Sequence, residues 1–184
     1  MSQPFTLAAL IAAGVRAVAV GLGATTAAYF DLARGRIPNA LAVVLAVAGI
    51  ATAAVADGLV GLTDSLAGAA VGGGLLLLCH LAGWLGAGDV KLMAAMGTLL
   101  GLVGTVWALF YTAVVGGAVG VGVLIWKGKL LWGLKRAFSL RALMHPGEVE
   151  ERITIPYGFA IAVGTLMAVF LRGALGGALG MPQW

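Results

Sequence analysis

Two carboxylates carry most of the chemistry that this chain's residue types allow. Asp89 follows Gly86-Ala87-Gly88 and precedes Val90-Lys91, and Asp31 opens the stretch Asp31-Leu32-Ala33-Arg34-Gly35-Arg36-Ile37-Pro38-Asn39; each stands where one long apolar run meets the next. An ionisable group beside a bilayer is costly and is by default a functional candidate. Two neighbouring carboxylates cannot both ionise cheaply, so a pair shares a proton and offers a base and an acid at once. The ionised member takes a proton from a water as that water attacks a carbonyl carbon, while the protonated member donates to the carbonyl oxygen. The product is a tetrahedral diol reached through neither metal nor covalent intermediate. Hydrolysis of a peptide bond is the natural reaction of such a pair. Gly86 and Gly88 permit backbone conformations closed to other residues and let a substrate backbone approach the Asp89 side chain. Each acid also has a plainer role open to it: Asp31 as a solvated acid at a helix end, Asp89 as a cap that complements the dipole of the helix it begins.

The elements that must position these acids are read from composition. The chain has 184 residues, 61% of them hydrophobic and 10% charged, with a mean hydropathy of +1.07. Apolar runs long enough to cross a ~30 Å hydrocarbon core recur from end to end, and nothing between them is long enough for a separate soluble domain. The expected fold is therefore all-α, a polytopic membrane helix bundle forming one domain over residues 1–184. About six transmembrane helices are expected: Phe5 to Phe30, Pro38 to Ala56, Ser65 to Leu85, Val90 to Val103, Val106 to Trp126 and Ile153 to Leu171. Turns are expected at Asp57 to Asp64 and at Gly101 to Thr105. The first run is longer than the apolar part of a signal peptide and has no basic residue ahead of it, so it is expected to remain in the membrane. Arg16, inside that run, is expected to snorkel toward the surface opposite Asp31.

Charge sets the orientation. The net charge is +4, but the cations sit between apolar segments: Arg34 and Arg36, then Lys91, then Lys127, Lys129, Lys135, Arg136, Arg141 and Arg152. All fall on one side of the bilayer, which the positive-inside rule makes cytoplasmic, leaving both termini non-cytoplasmic. Among the cations outside the apolar runs, Arg172 is the one exception. Between helices five and six, Trp126, Trp132 and Phe138 interleave with the cations in a cytoplasmic interfacial segment suited to anionic lipid; the bilayer, not nucleic acid, is the expected partner of this basic surface. Cys79 is the sole cysteine, so neither a disulfide framework nor a cysteine metal site is available. No metal or other cofactor is expected. Thirty glycines, many spaced as in Gly68/Gly72, Gly97/Gly101 and Gly116/Gly120, fit helices that approach closely in lipid.

Span parity brings the acids together. Asp31 ends the first run, the second run leaves that surface, the third returns to it, and Asp89 follows at once. Both acids therefore face the cytoplasm, whatever the boundary between the fourth and fifth runs.

At these residues the chain resembles the type IV prepilin peptidases, the membrane-embedded Gly-x-Gly-Asp aspartic proteases. Asp31 with its downstream Ile37-Pro38-Asn39 looks like the family's first aspartate motif, and Gly86-Ala87-Gly88-Asp89-Val90-Lys91-Leu92 is similar to its second. Ile155-Pro156-Tyr157-Gly158 resembles the opening of the family's last helix. The resemblance implies catalytic Asp31 and Asp89, with Gly86, Gly88, Lys91, Pro38, Asn39, Pro156, Tyr157 and Gly158 binding substrate or shaping the site. It also implies a reaction, removal of the short basic leader from type IV prepilins or pseudopilins in the cytoplasmic (inner) membrane, with the pilus assembly machinery as a further partner. Family members that also N-methylate the new pilin terminus carry a Cys-x-x-Cys loop ahead of the first aspartate; with Cys79 alone here, methyltransferase activity is not expected. The compact form looks like the peptidases of tight-adherence (Flp) pilus systems, with archaeal preflagellin peptidases the near alternative. The substrate helix is expected to lie against the glycine-rich faces that hold Gly72 and Gly101.

Other polar residues read less sharply. Lys91 could stabilise a carboxylate or reach headgroups, His80 reads as a packed or interfacial histidine, and His145-Pro146 as loop punctuation. A rival from another class is a small proton-coupled transporter using the same two acids, although transporter acids usually sit near the bilayer midplane in repeated halves, and no internal repeat is visible here.

Overall fold

The computed structural model describes residues 7–126, 128 and 157–179. Every element among them is a helix: α1, Leu7–Arg34; α2, Asn39–Leu81; α3, Ala87–Trp126; and α4, Tyr157–Leu179. Apolar medium leaves a backbone no partner but itself, and the helix is the local way to satisfy it. Three of the four are long and apolar enough to cross a membrane, within Leu10–Arg34, Asn39–Leu81 and Ala87–Trp126, and the apolar stretch Tyr157–Leu171 of α4 is shorter. The chain is thus a multi-helix membrane protein. Apart from Gly128, the expected interfacial segment over 127–152 lies outside the described residues, as does Pro156.

Helices α2 and α3 are each folded back on themselves at one glycine. Gly58 (φ 59°, ψ −133°) interrupts α2 and Gly101 (φ 67°, ψ −178°) interrupts α3. Positive φ at these two points is available to glycine at little cost. The contacts show that the breaks reverse the chain. Gly72 faces both Met93 and Thr105, residues on opposite sides of Gly101 that a straight helix would hold roughly 18 Å apart. Gly49 and Gly68 lie against Thr98 and Gly97, though a straight α2 would separate them by roughly 28 Å. The expected turn over Asp57 to Asp64 is therefore a break at Gly58 alone, with Asp64 already helical. The turn expected over Gly101 to Thr105 is likewise a single residue. α3 begins at Ala87, ahead of the expected Val90, and α2 ends at Leu81, short of the expected Leu85.

Small residues fill the interior and large ones face outward, as expected where lipid solvates apolar side chains as well as a protein core does. Ala24, Ala27, Ala108 and Ala160 are fully buried, while Leu22, Val43, Leu78 and Phe110 are mostly exposed. One tight seam joins Gly68 of α2 to Gly97 of α3, backbone against backbone. This corrects the expectation that a substrate helix lies on the faces of Gly72 and Gly101. Gly72 is covered by Met93 and Thr105 and Gly101 by Asp64, so those faces are occupied within the chain. Arg16 Nε donates to Thr52 Oγ1 at 3.2 Å, tying α1 to α2.

At the Gly101 break the orphaned backbone is satisfied from α2. Leu102 N–H donates to Asp64 Oδ1 at 3.1 Å, and Ser65 Oγ donates to the Thr98 carbonyl at 2.9 Å. Thr105 Oγ1 donates to the Gly101 carbonyl at 2.6 Å. Asp64 thus acts as an N-cap supplied by another helix, meeting the need that the start of any helix creates.

Candidate active site

Asp31 lies in the last turn of α1. That helix stops at Gly35 (φ 60°), whose N–H donates to the Asp31 carbonyl at 2.9 Å, a left-handed glycine cap. The Asp31 side chain crosses to α4, where Phe159 N–H donates to Oδ2 at 3.0 Å. Gly158 makes the approach possible: a Cβ there would lie 2.8 Å from Asp31 Cγ. Nearby, the Arg34 guanidinium lies over the Phe30 ring, 5.0 Å from its centroid.

Asp89 is the third residue of α3 and caps the helix it belongs to. Gly86 N–H donates to Asp89 Oδ2 at 3.1 Å, the N3 half of a capping box, and Asp89 N–H donates to the Gly86 carbonyl at 3.2 Å in a backbone turn. A Cβ at Gly86 would sit 3.2 Å from Asp89 Oδ2. The capping role and a chemical role are compatible, because the cap engages only one carboxylate oxygen. Asp89 is buried, 9% exposed, whereas Asp31 is half-buried.

The turn that delivers Asp89 is held from α2. Gly83 (φ 77°) ends α2 with its N–H on the His80 carbonyl, and Trp84 N–H reaches the Cys79 carbonyl, a Schellman pairing. His80 Nδ1 lies 2.7 Å from the Leu85 carbonyl. A carbonyl can only accept, so Nδ1 carries the proton. The histidine read from sequence as a packing residue thus fastens the last residue before Gly86.

Two further contacts draw the aspartate-bearing stretches together. Gly88 faces Ile37, with 3.5 Å between a Cβ there and the Ile37 Cβ, and Lys91 Nζ donates to Asn39 Oδ1 at 3.0 Å. Pro38 precedes α2 in extended conformation with no side-chain cap, and Asn39, first in the helix, has its amide oxygen on Lys91. Asp31 lies within Coulombic reach of Asp89. Tyr157, the first residue of α4, packs beside Gly116 of α3 and is within Coulombic reach of Asp89. The structure therefore gathers Asp31, Asp89, Gly86, Gly88, Lys91, Asn39, Tyr157 and Gly158 at one end of the bundle. It adds a group that the sequence does not announce, the backbone amide of Phe159. The one available signal was negative: α4 is preceded by Ile155-Pro156, which has no polar side chain to cap it.

An apolar helical bundle with a carboxylate at the start of one helix, a second at the end of another, and glycines against both defines a membrane protein with a candidate hydrolytic centre. Residues 18–121 match the model of the type IV leader peptidase family, Peptidase_A24. The match covers more than half of the chain and includes both aspartates, and the chain belongs to that family. Comparison with curated proteins and with solved structures yields no match.

Proposed function

We propose that this protein is an aspartic endopeptidase that removes the short basic leader of type IV prepilins or pseudopilins at the cytoplasmic surface of the inner membrane. In this reading the chain crosses the bilayer six times with both termini outside, and Asp31 and Asp89 form the catalytic pair. The observation that carries it is the joining of the two aspartate stretches, Ile37 to Gly88 and Asn39 to Lys91, in a chain of the leader peptidase family.

The chemistry follows from the pair. With a peptide bond beside the two acids, the ionised carboxylate accepts a proton from water as the water oxygen bonds to the carbonyl carbon. The protonated carboxylate donates to the carbonyl oxygen. Collapse of the diol breaks the C–N bond, and a proton passes to the leaving amine, restoring the shared-proton state. A pilin helix in the bilayer with its charged leader in the cytoplasm would bring the scissile bond to the interface, where the helix ends hold both acids.

Co-expression with a prepilin tests this reading. At matched membrane abundance, Asp31→Asn and Asp89→Asn should each lower the rate of leader removal by at least about a hundredfold, the lower range for losing a general acid or base. Processing at the wild-type rate by either single variant would overturn the paired mechanism.

A further inference from the structure

We propose that the first turn of α4 is the positioning element for Asp31: Gly158 leaves the space that the carboxyl group occupies, and the Phe159 amide holds one of its oxygens. The inference rests on the peptidase reading above and adds the element that orients one of its acids. It concerns residues beyond the 18–121 match to the family.

Three observations converge. The Phe159 N–H is in the first turn of α4, where backbone donors have no acceptor within their own helix. Its acceptor is Asp31 Oδ2, 3.0 Å away on α1. No side chain could replace Gly158 without displacing the acid, since a Cβ would lie 2.8 Å from Asp31 Cγ, 2.9 Å from Cβ and 3.0 Å from Oδ2. The residue is buried in the seam between the helices, so the neighbouring backbone has little room to move aside. With its Cβ fixed by α1 and its Cγ lodged against Gly158, the Asp31 carboxyl group has one remaining torsion, about Cβ–Cγ. A hydrogen bond to Oδ2 sets that torsion, and with it the direction in which Oδ1 is presented. Among the described residues Oδ1 has no hydrogen bond. Asp89 is held in the same manner by the Gly86 amide, so each acid keeps one oxygen on a helix start and has the other for the reaction. The difference is that Asp89 is held by its own helix and Asp31 by a distant one.

Two measurements test the proposal, one independent of activity. In protein labelled with 15N-phenylalanine in detergent micelles, the Phe159 amide, one of six phenylalanines, should exchange slowly in the wild type. In Asp31→Ala it should exchange roughly tenfold to hundredfold faster, the range for losing a hydrogen bond to a charged group. Unchanged exchange would overturn the proposal. The second measurement is turnover of a purified prepilin bearing its basic leader. Gly158→Ala should lower kcat about tenfold or more with KM within about twofold and with wild-type membrane abundance. Gly117→Ala, where a Cβ meets nothing within 4 Å, should match the wild type. Wild-type kcat in Gly158→Ala, or a loss appearing only in abundance or KM, would assign α4 a structural role and overturn positioning. Should the wild type cleave no prepilin, the peptidase reading fails, while the exchange experiment still decides whether α4 holds Asp31.

Discussion

Lys91 and Asn39 stand in different stretches of the sequence, yet Nζ and Oδ1 are 3.0 Å apart. Their bond ties the first turn of α3, which carries Asp89, to the first residue of α2, which follows the turn after Asp31. Both side chains are exposed, so the bond is worth about 0.5–1 kcal/mol at most. Lys91→Ala and Asn39→Ala should therefore each slow cleavage by about two- to fivefold, and the double variant should be no slower than the worse single. Strictly multiplicative losses would show that the bond contributes nothing to the site. Asp31, Asp89 and the two glycines beside Asp89 were legible as residues because their types are rare in so apolar a chain. The Phe159 amide was not, since every residue but proline carries the same donor and only the packing of α4 selects one.

Two single-residue breaks shape the elements. At Gly101 (φ 67°, ψ −178°) the backbone is in a region essentially closed to residues with a Cβ, at a cost of about 1–3 kcal/mol, and that Cβ would meet the Asp64 carboxylate. Gly101→Ala should lower the thermal stability of the purified protein by more than Asp64→Ala does, the latter losing a cap worth about 1 kcal/mol. Because removing Asp64 also removes the collision, Gly101→Ala should cost less in an Asp64→Ala background than alone. An equal cost in both backgrounds would mean that the two residues do not oppose each other. The sequence placed both reversals nearly correctly, by polar residues near Gly58 and by length near Gly101. It overestimated their extent, because hydropathy falls off gradually across a turn that one glycine accomplishes. That Asp64 reaches from α2 to cap the returning arm of α3 was not visible, since the pairing depends on how two hairpins nest.

Across the whole molecule, apolar bulk faces outward and glycine and alanine face inward, so tolerance to substitution should run opposite to that of a water-soluble core. Gly68→Ala or Gly97→Ala places a methyl in a backbone-to-backbone contact and should cause large losses of folded protein in a detergent melt. Gly74→Ala and Gly117→Ala meet open space and should be neutral or stabilising by up to about 1 kcal/mol. If both pairs behave alike, the Gly68–Gly97 seam does not hold the bundle together. The all-helical, membrane-spanning character was legible from composition, and close helix contact from the small-residue spacing. Which glycine meets which neighbour was not legible, and for that reason the faces of Gly72 and Gly101 read as substrate surface when they are interior. On the proposed reading, a pilin helix would dock on other faces of the bundle.

The bond from Phe159 to Asp31 also has a meaning in time. A ribosome completes α1, with Asp31 already in place along it, long before it reaches residue 159, and until then the acid lacks the amide that directs it. Both aspartates can be inserted, and α2 and α3 can fold around them, while the pair is still unassembled. On the peptidase reading proposed above, the competence to cut would thus arrive only with the insertion of α4, the last of the four described helices to emerge.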